Sequence, residues 1–131
     1  MSRMKACALA LAAAIGVAHP AAGLAQYADQ DEPRHGGVTN WNTNSEYSFE
    51  LVARQDGVTL YIEDHETPVS TKGAKGTLVI RRAGASNRAP LVPAGDNRMI
   101  ARGASATRGD HVAATVTLAS GAIMMGRFVI P

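Results

Sequence analysis

The sequence predicts an all-β domain of two packed antiparallel sheets, carried behind a cleavable export signal. Three features of the 131 residues lead to that expectation. From Ser45 onward apolar and polar residues alternate at period two, the spacing that turns one side of an extended strand toward a core. Glycines and prolines interrupt the chain at short intervals, as tight turns between strands require. No stretch beyond residue 25 repeats at the 3.6-residue period of a helix.

Arg3 and Lys5 make a short positive start, and the 13 uncharged residues from Ala6 to Ala18 form an apolar core. That is the length of a signal-peptide core and well short of the roughly 20 apolar residues that span a bilayer. Pro20 and Gly23 end the apolar run, and the small residues Gly23 and Ala25 suit cleavage between Ala25 and Gln26. A signal peptide over 1–25 predicts a periplasmic, secreted protein. Cys7 stands at the start of the apolar core rather than after it, so no lipid or membrane anchor is expected. It is also the only cysteine. Its removal leaves no disulfide, thiolate metal site or cysteine nucleophile in the exported domain.

The chain has 13 Lys+Arg and 11 Asp+Glu, and without Arg3 and Lys5 the balance becomes 11 against 11. A net charge near zero withdraws support from a nucleic-acid or membrane-surface role, which needs a face of one sign.

Residues 26–34 are polar and unpatterned, a flexible leader ahead of a β-sandwich domain over 35–131. Tyr47, Phe49, Leu51 and Ala53 share one side of the first strand, with Glu46, Ser48, Glu50 and Val52 on the other. Asp56-Gly57 suits a tight hairpin turn, after which Val58, Leu60 and Ile62 resume the inward set. Further strands are read over Thr77 to Arg82, Pro90 to Pro93 and Arg98 to Arg102. The last pair runs from Val112 to Leu118 and from Ile123 to Ile130. A three-residue loop near Ser120-Gly121 keeps Arg127 off the core side and sets Val112, Ala114, Val116 and Leu118 against Ile130, Phe128, Gly126 and Met124. Six or seven short strands with this spacing predict an immunoglobulin-like sandwich.

Closing the first hairpin with Gln55 opposite Val58 sets Glu50 against Glu63 and Ser48 against His65 on the outer face. Two opposed carboxylates repel unless a cation lies between them. A metal ion or an arginine such as Arg81 or Arg82 would serve. His65 follows Glu63 by two residues in Glu63-Asp64-His65-Glu66, which gathers imidazole and carboxylate, the donors that hold divalent transition metals. The alternative is a strand end whose glutamates an arginine neutralises. His35, ahead of Gly36-Gly37, is either a second ligand or a polar residue opening the fold. His111 reads as a solvated residue at a strand head. Met124 reads as core, and Met125 points outward as a soft donor that would suit copper. No serine-elbow, zinc-protease or phosphate-loop motif is present, so an enzyme is not expected. Trp41 is read as packing over an end of the sandwich.

The runs Leu51-Val52-Ala53-Arg54, Leu60-Tyr61-Ile62-Glu63-Asp64-His65 and Pro68-Val69-Ser70-Thr71-Lys72-Gly73-Ala74-Lys75-Gly76 extend this picture. With His35-Gly36-Gly37 ahead and Pro93-Ala94-Gly95-Asp96-Asn97 behind, the chain resembles small periplasmic proteins encoded in bacterial heavy-metal resistance loci, and a domain of periplasmic adaptor subunits of heavy-metal efflux pumps. The resemblance implies an immunoglobulin-like sandwich, a periplasmic address and a link to copper, zinc, cobalt or cadmium handling. By position His35 and His65 match the family's recurring histidines. The expectation is a metal-binding or metal-chaperone module with His35, His65, Glu63 and Glu50 as ligands to a divalent transition metal or copper. The alternative is a metal-free interaction module that docks onto an efflux adaptor through a sheet edge or the Trp41 end.

Overall fold

The computed structural model describes residues 16, 32–41 and 46–131, the side chain of Trp41 excepted. The expected signal peptide and most of the leader fall outside these residues, as does the side-chain placement expected of Trp41.

The described chain is all β. Its strands are β1 (Val38–Trp41), β2 (Tyr47–Arg54), β3 (Gly57–Asp64), β4 (Thr67–Pro68), β5 (Lys75–Arg82), β6 (Ala85–Pro93), β7 (Arg98–Arg102), β8 (His111–Thr117) and β9 (Ile123–Val129). Nine strands thus stand where six or seven were expected. The additional ones are the short β1 and the two-residue β4, and β6 is longer than expected because its half from Ala85 to Ala89 carries no alternation to read.

Hydrogen bonding joins the strands in one antiparallel path, β1-β2-β3-β7-β6-β5-β8-β9, with β4 on the far side of β3. β6 makes the path continuous, because its first part pairs with β5 while Val92 and Pro93 pair with Ile100 and Met99 of β7. The two ends then approach each other, and the Asn40 side-chain amide donates to the Arg127 carbonyl at 2.8 Å. The result is nearly a barrel, which leaves little open sheet edge.

Inside lie Leu51, Leu60, Ile62, Leu78, Leu91 and Met99, each at most 2% exposed. Burying each such side chain contributes about 1.5–3 kcal/mol. Met124 is core and Met125 is exposed, as the alternation required.

Both predicted hairpin registers are corrected. Arg54 pairs with Gly57, so the first turn is Gln55-Asp56 and Leu51 faces Leu60 rather than Ile62. Gly57 belongs to β3 because of a long-range contact. Its φ is 150°, and a Cβ there would lie 2.5 Å from the Ala101 carbonyl oxygen of β7. In the last hairpin Val112 faces Phe128 and Val116 faces Met124. Leu118 N–H donates to the Ala122 carbonyl at 2.8 Å, enclosing the three-residue loop Ala119-Ser120-Gly121 with Gly121 at φ 90°. A left-handed third residue is what such a loop needs. Each turn slides by one residue, which moves the register by two and leaves every side chain on its expected face.

The small net charge of +2 conceals an uneven distribution. Glu46, Glu63, Asp64 and Glu66 gather where β2 begins and β3 ends, whereas the outward side chains of β5, β6, β8 and β9 include Lys75, Arg81, Arg88, His111 and Arg127.

Candidate functional site

The outer face of β2 and β3 is covered at one end by the segment 34–37 that leads into β1. Gly37 permits this, since a Cβ on it would lie 2.2 Å from the Leu51 carbonyl oxygen. The cover buries Val52 and Glu50, which the alternation had placed toward solvent.

Glu50 is 7% exposed and accepts four hydrogen bonds. Oε1 takes the backbone N–H groups of His35 at 2.7 Å and Gly37 at 3.0 Å. Oε2 takes the Arg34 N–H at 3.1 Å and the His35 ring Nδ1 at 2.8 Å. Converging backbone N–H groups of this kind make a pocket for an anion. Burial pushes the Glu50 carboxyl up, but the bonds from His35, Gly37 and Arg34 outweigh it and hold the group below its ordinary value. A carboxylate has about four acceptor positions, and here they are filled. Glu50 is therefore the anchor of the covering segment, and of the expected ligands it is the one whose acceptor positions are taken up within the fold.

The His35 ring stacks on Tyr61, the cross-strand neighbour of Glu50, with centroids 3.7 Å apart and planes 6° from parallel. An ionised carboxylate only accepts, so Nδ1 is the donor in this contact and Nε2 is the ring nitrogen left for another partner. Metal-binding histidines are commonly oriented in this way by a carboxylate behind them.

Glu63 lies opposite Ser48 and diagonal to Glu50, not directly across from it. The cation beside it is Arg34, at 3.8 Å from Glu63 and 3.5 Å from Glu66. Of the two readings of the acidic face, an arginine is thus present at Glu63, but it comes from the segment read as leader. Arg82 is engaged elsewhere, bonding Asp110 through Nε at 2.9 Å and Nη2 at 2.6 Å. Asp110 is 2% exposed and also accepts the Thr107 N–H at 2.8 Å, so it fastens the loop before β8. The Arg82 guanidinium, with the Thr107 N–H, holds the Asp110 carboxyl far below its ordinary value.

His65 and Glu66 form the two-residue turn between β3 and β4, at φ 46° and 70°. Positive φ at both positions is the geometry of the favoured hairpin turn, normally supplied by Asn-Gly. The turn holds His65 Nδ1 at 2.7 Å from Asp64 Oδ1. Glu46 completes a cluster: one ligand atom each from Glu46, Asp64 and His65 lies within 4.8 Å of the others. The pairing of Tyr47 with Asp64 brings these two chain segments together. Of the expected ligands, then, His35 and Glu50 meet each other, Glu63 meets Arg34, and His65 meets Asp64 and Glu46. Arg34, Glu63, His65 and Glu66 border one hollow on this face.

Sequence reasoning passed over Glu46 and Asp64 as ligands and Tyr61 as the platform for His35. The Glu46–Asp64 proximity follows from the true register. The correct position for Gly57 would have revealed it. No protein-family model, curated protein or solved structure matches the chain.

Proposed function

We propose that this domain binds a divalent transition-metal ion at the β2–β3 end and serves as an exported metal-binding or metal-chaperone module of the heavy-metal resistance kind. One observation carries the proposal: Glu46, Asp64 and His65 offer one nitrogen and two carboxylate oxygens within 4.8 Å of one another. One imidazole and two carboxylates suit zinc or another borderline divalent ion better than monovalent copper, which prefers sulfur. Three protein ligands leave coordination positions for water or for a receiving protein, as handing on a metal requires. His35 offers Nε2 as a further donor, with Glu50 behind it. The role is binding and transfer rather than catalysis, and periplasmic export rests on residues 1–25.

Calorimetric titration with zinc tests this. One saturable site is expected, abolished by His65→Ala and weakened at least tenfold by Glu46→Gln, a loss of about 1.4 kcal/mol or more. An affinity unchanged in both variants overturns it. Export is tested by cell fractionation with N-terminal sequencing, for which a mature start at Gln26 is expected.

The immunoglobulin-like form belongs to the same proposal. It is supported by two antiparallel groups, β1 to β4 with β7 and β5 with β8 and β9, that share β6. A metal-free docking role is the competing reading, supported by the seam where β1 and β9 approach each other without strand pairing among the described residues. Co-purification with an efflux adaptor in chelator would support it over metal transfer.

A further inference from the structure

The outer face of the sheet β6-β5-β8-β9 carries cations and aliphatic side chains together. The registers put Lys75 and Arg81 on β5, Arg88 on β6 and Arg127 on β9, with His111 of β8 beside Arg81. All five are exposed, and none forms an ion pair among the described residues. No outward residue of these four strands is a carboxylate. On the same face β9 presents Ile123, Met125 and Val129, 67%, 55% and 54% exposed.

From this pairing we infer that the face docks on a bilayer surface containing anionic phospholipid. Charge complementarity selects an anionic partner. The aliphatic row selects among anionic partners, because an interfacial surface receives apolar groups at the headgroup boundary and cations at the phosphates at the same time. The face is a broad sheet, which suits a planar partner. The acidic residues Glu46, Glu63, Asp64 and Glu66 lie at the β2–β3 end of the other sheet, which also carries the exposed Arg54, Arg98 and Arg102, so an anionic surface disfavours docking through that acidic end. The inference does not depend on metal binding.

The test is vesicle co-sedimentation of the full chain with phosphatidylcholine alone and with added phosphatidylglycerol, at low and high salt. The quantity read is the gain in partitioning caused by the anionic lipid, to which an apolar N-terminal segment common to all variants adds equally. Each cation at such a surface is worth about fivefold. Arg81→Gln with Arg127→Gln should therefore reduce the gain about 25-fold, and high salt should suppress it. Ile123→Ser with Met125→Ser should weaken binding to anionic vesicles while leaving its salt dependence in place. Unaltered circular dichroism of the variants separates these effects from unfolding. No gain from anionic lipid, or a gain that the arginine variant retains, overturns the inference. Binding to soluble polyglutamate without binding to anionic vesicles also overturns it, in favour of an acidic protein partner.

Discussion

Replacing Glu50 by glutamine tests how the segment ahead of β1 is held. The carboxylate accepts from three backbone N–H groups and one imidazole at 2.7–3.1 Å. Glutamine keeps one oxygen that accepts two of these, and its NH2 group faces the other two donors. Losing two charge-assisted bonds at about 1.5 kcal/mol each gives a destabilisation of about 3 kcal/mol. For a domain of this size that lowers the melting temperature by about 15 °C. The pH dependence has a definite sign. Glu50 titrates below its ordinary 4.5 when folded, so its contribution is present above pH 4.5 and is lost as pH falls through the lower folded value. The gap between wild type and Glu50→Gln should therefore be constant near neutrality and close in acid. Thermal melts across pH measure it, and hydrogen exchange should show the amides of Arg34, His35 and Gly37 losing protection in the variant. Equal melting temperatures with unchanged protection at these amides would refute the anchoring role.

Three further outcomes follow from the geometry. Gly57→Ala should destabilise by at least about 2 kcal/mol in urea unfolding, because a Cβ would lie 2.5 Å from the Ala101 carbonyl oxygen at a φ that glycine favours; near-wild-type stability contradicts the assigned turn. Glu66→Gly should raise stability by about 0.5–1 kcal/mol, since glycine accepts φ 70° and the exposed Arg34 contact contributes little; a loss of stability in the same assay contradicts it. Asp110→Asn should unfold at a higher pH than wild type in an acid titration followed by circular dichroism. The ionised Asp110 is favoured by the fold, so its contribution is intact above the ordinary value of 3.8 and is lost only in stronger acid; coincident acid transitions would remove it from the fastening of the β8 loop.

The faces of the strands were legible in the sequence, whereas their lateral alignment was not. Period-two alternation identified Phe49, Leu51, Leu60, Ile62, Leu78 and Val116 as inward, and a one-residue slide of a turn cannot alter that parity. The slide does change which residues are neighbours. Asp56-Gly57 looks like a two-residue turn locally, but Gly57 is required by the approach of β7 more than 40 positions along the chain, a contact with no local signature. Glu50 and Glu63 consequently ceased to be opposed, and Asp64 came beside Tyr47 and Glu46. The polar half of β6 has no alternation to betray it. Arg34 looked like part of a leader because its partners Glu50, Glu63 and Glu66 are distant in sequence. Net charge was equally blind, since it sums an acidic β2–β3 end with a face of β5, β6, β8 and β9 that has no carboxylate.

The proposed metal-binding role depends most on a divalent ion being held by His65 with Asp64 and Glu46. The most direct measurement is nuclear magnetic resonance of the imidazole nitrogens during zinc titration. The His65 ring should shift first and saturate with one ion, while His111, on the other sheet, stays unmoved. Shifts at His111 alone, or no saturable shift at His65, would contradict it.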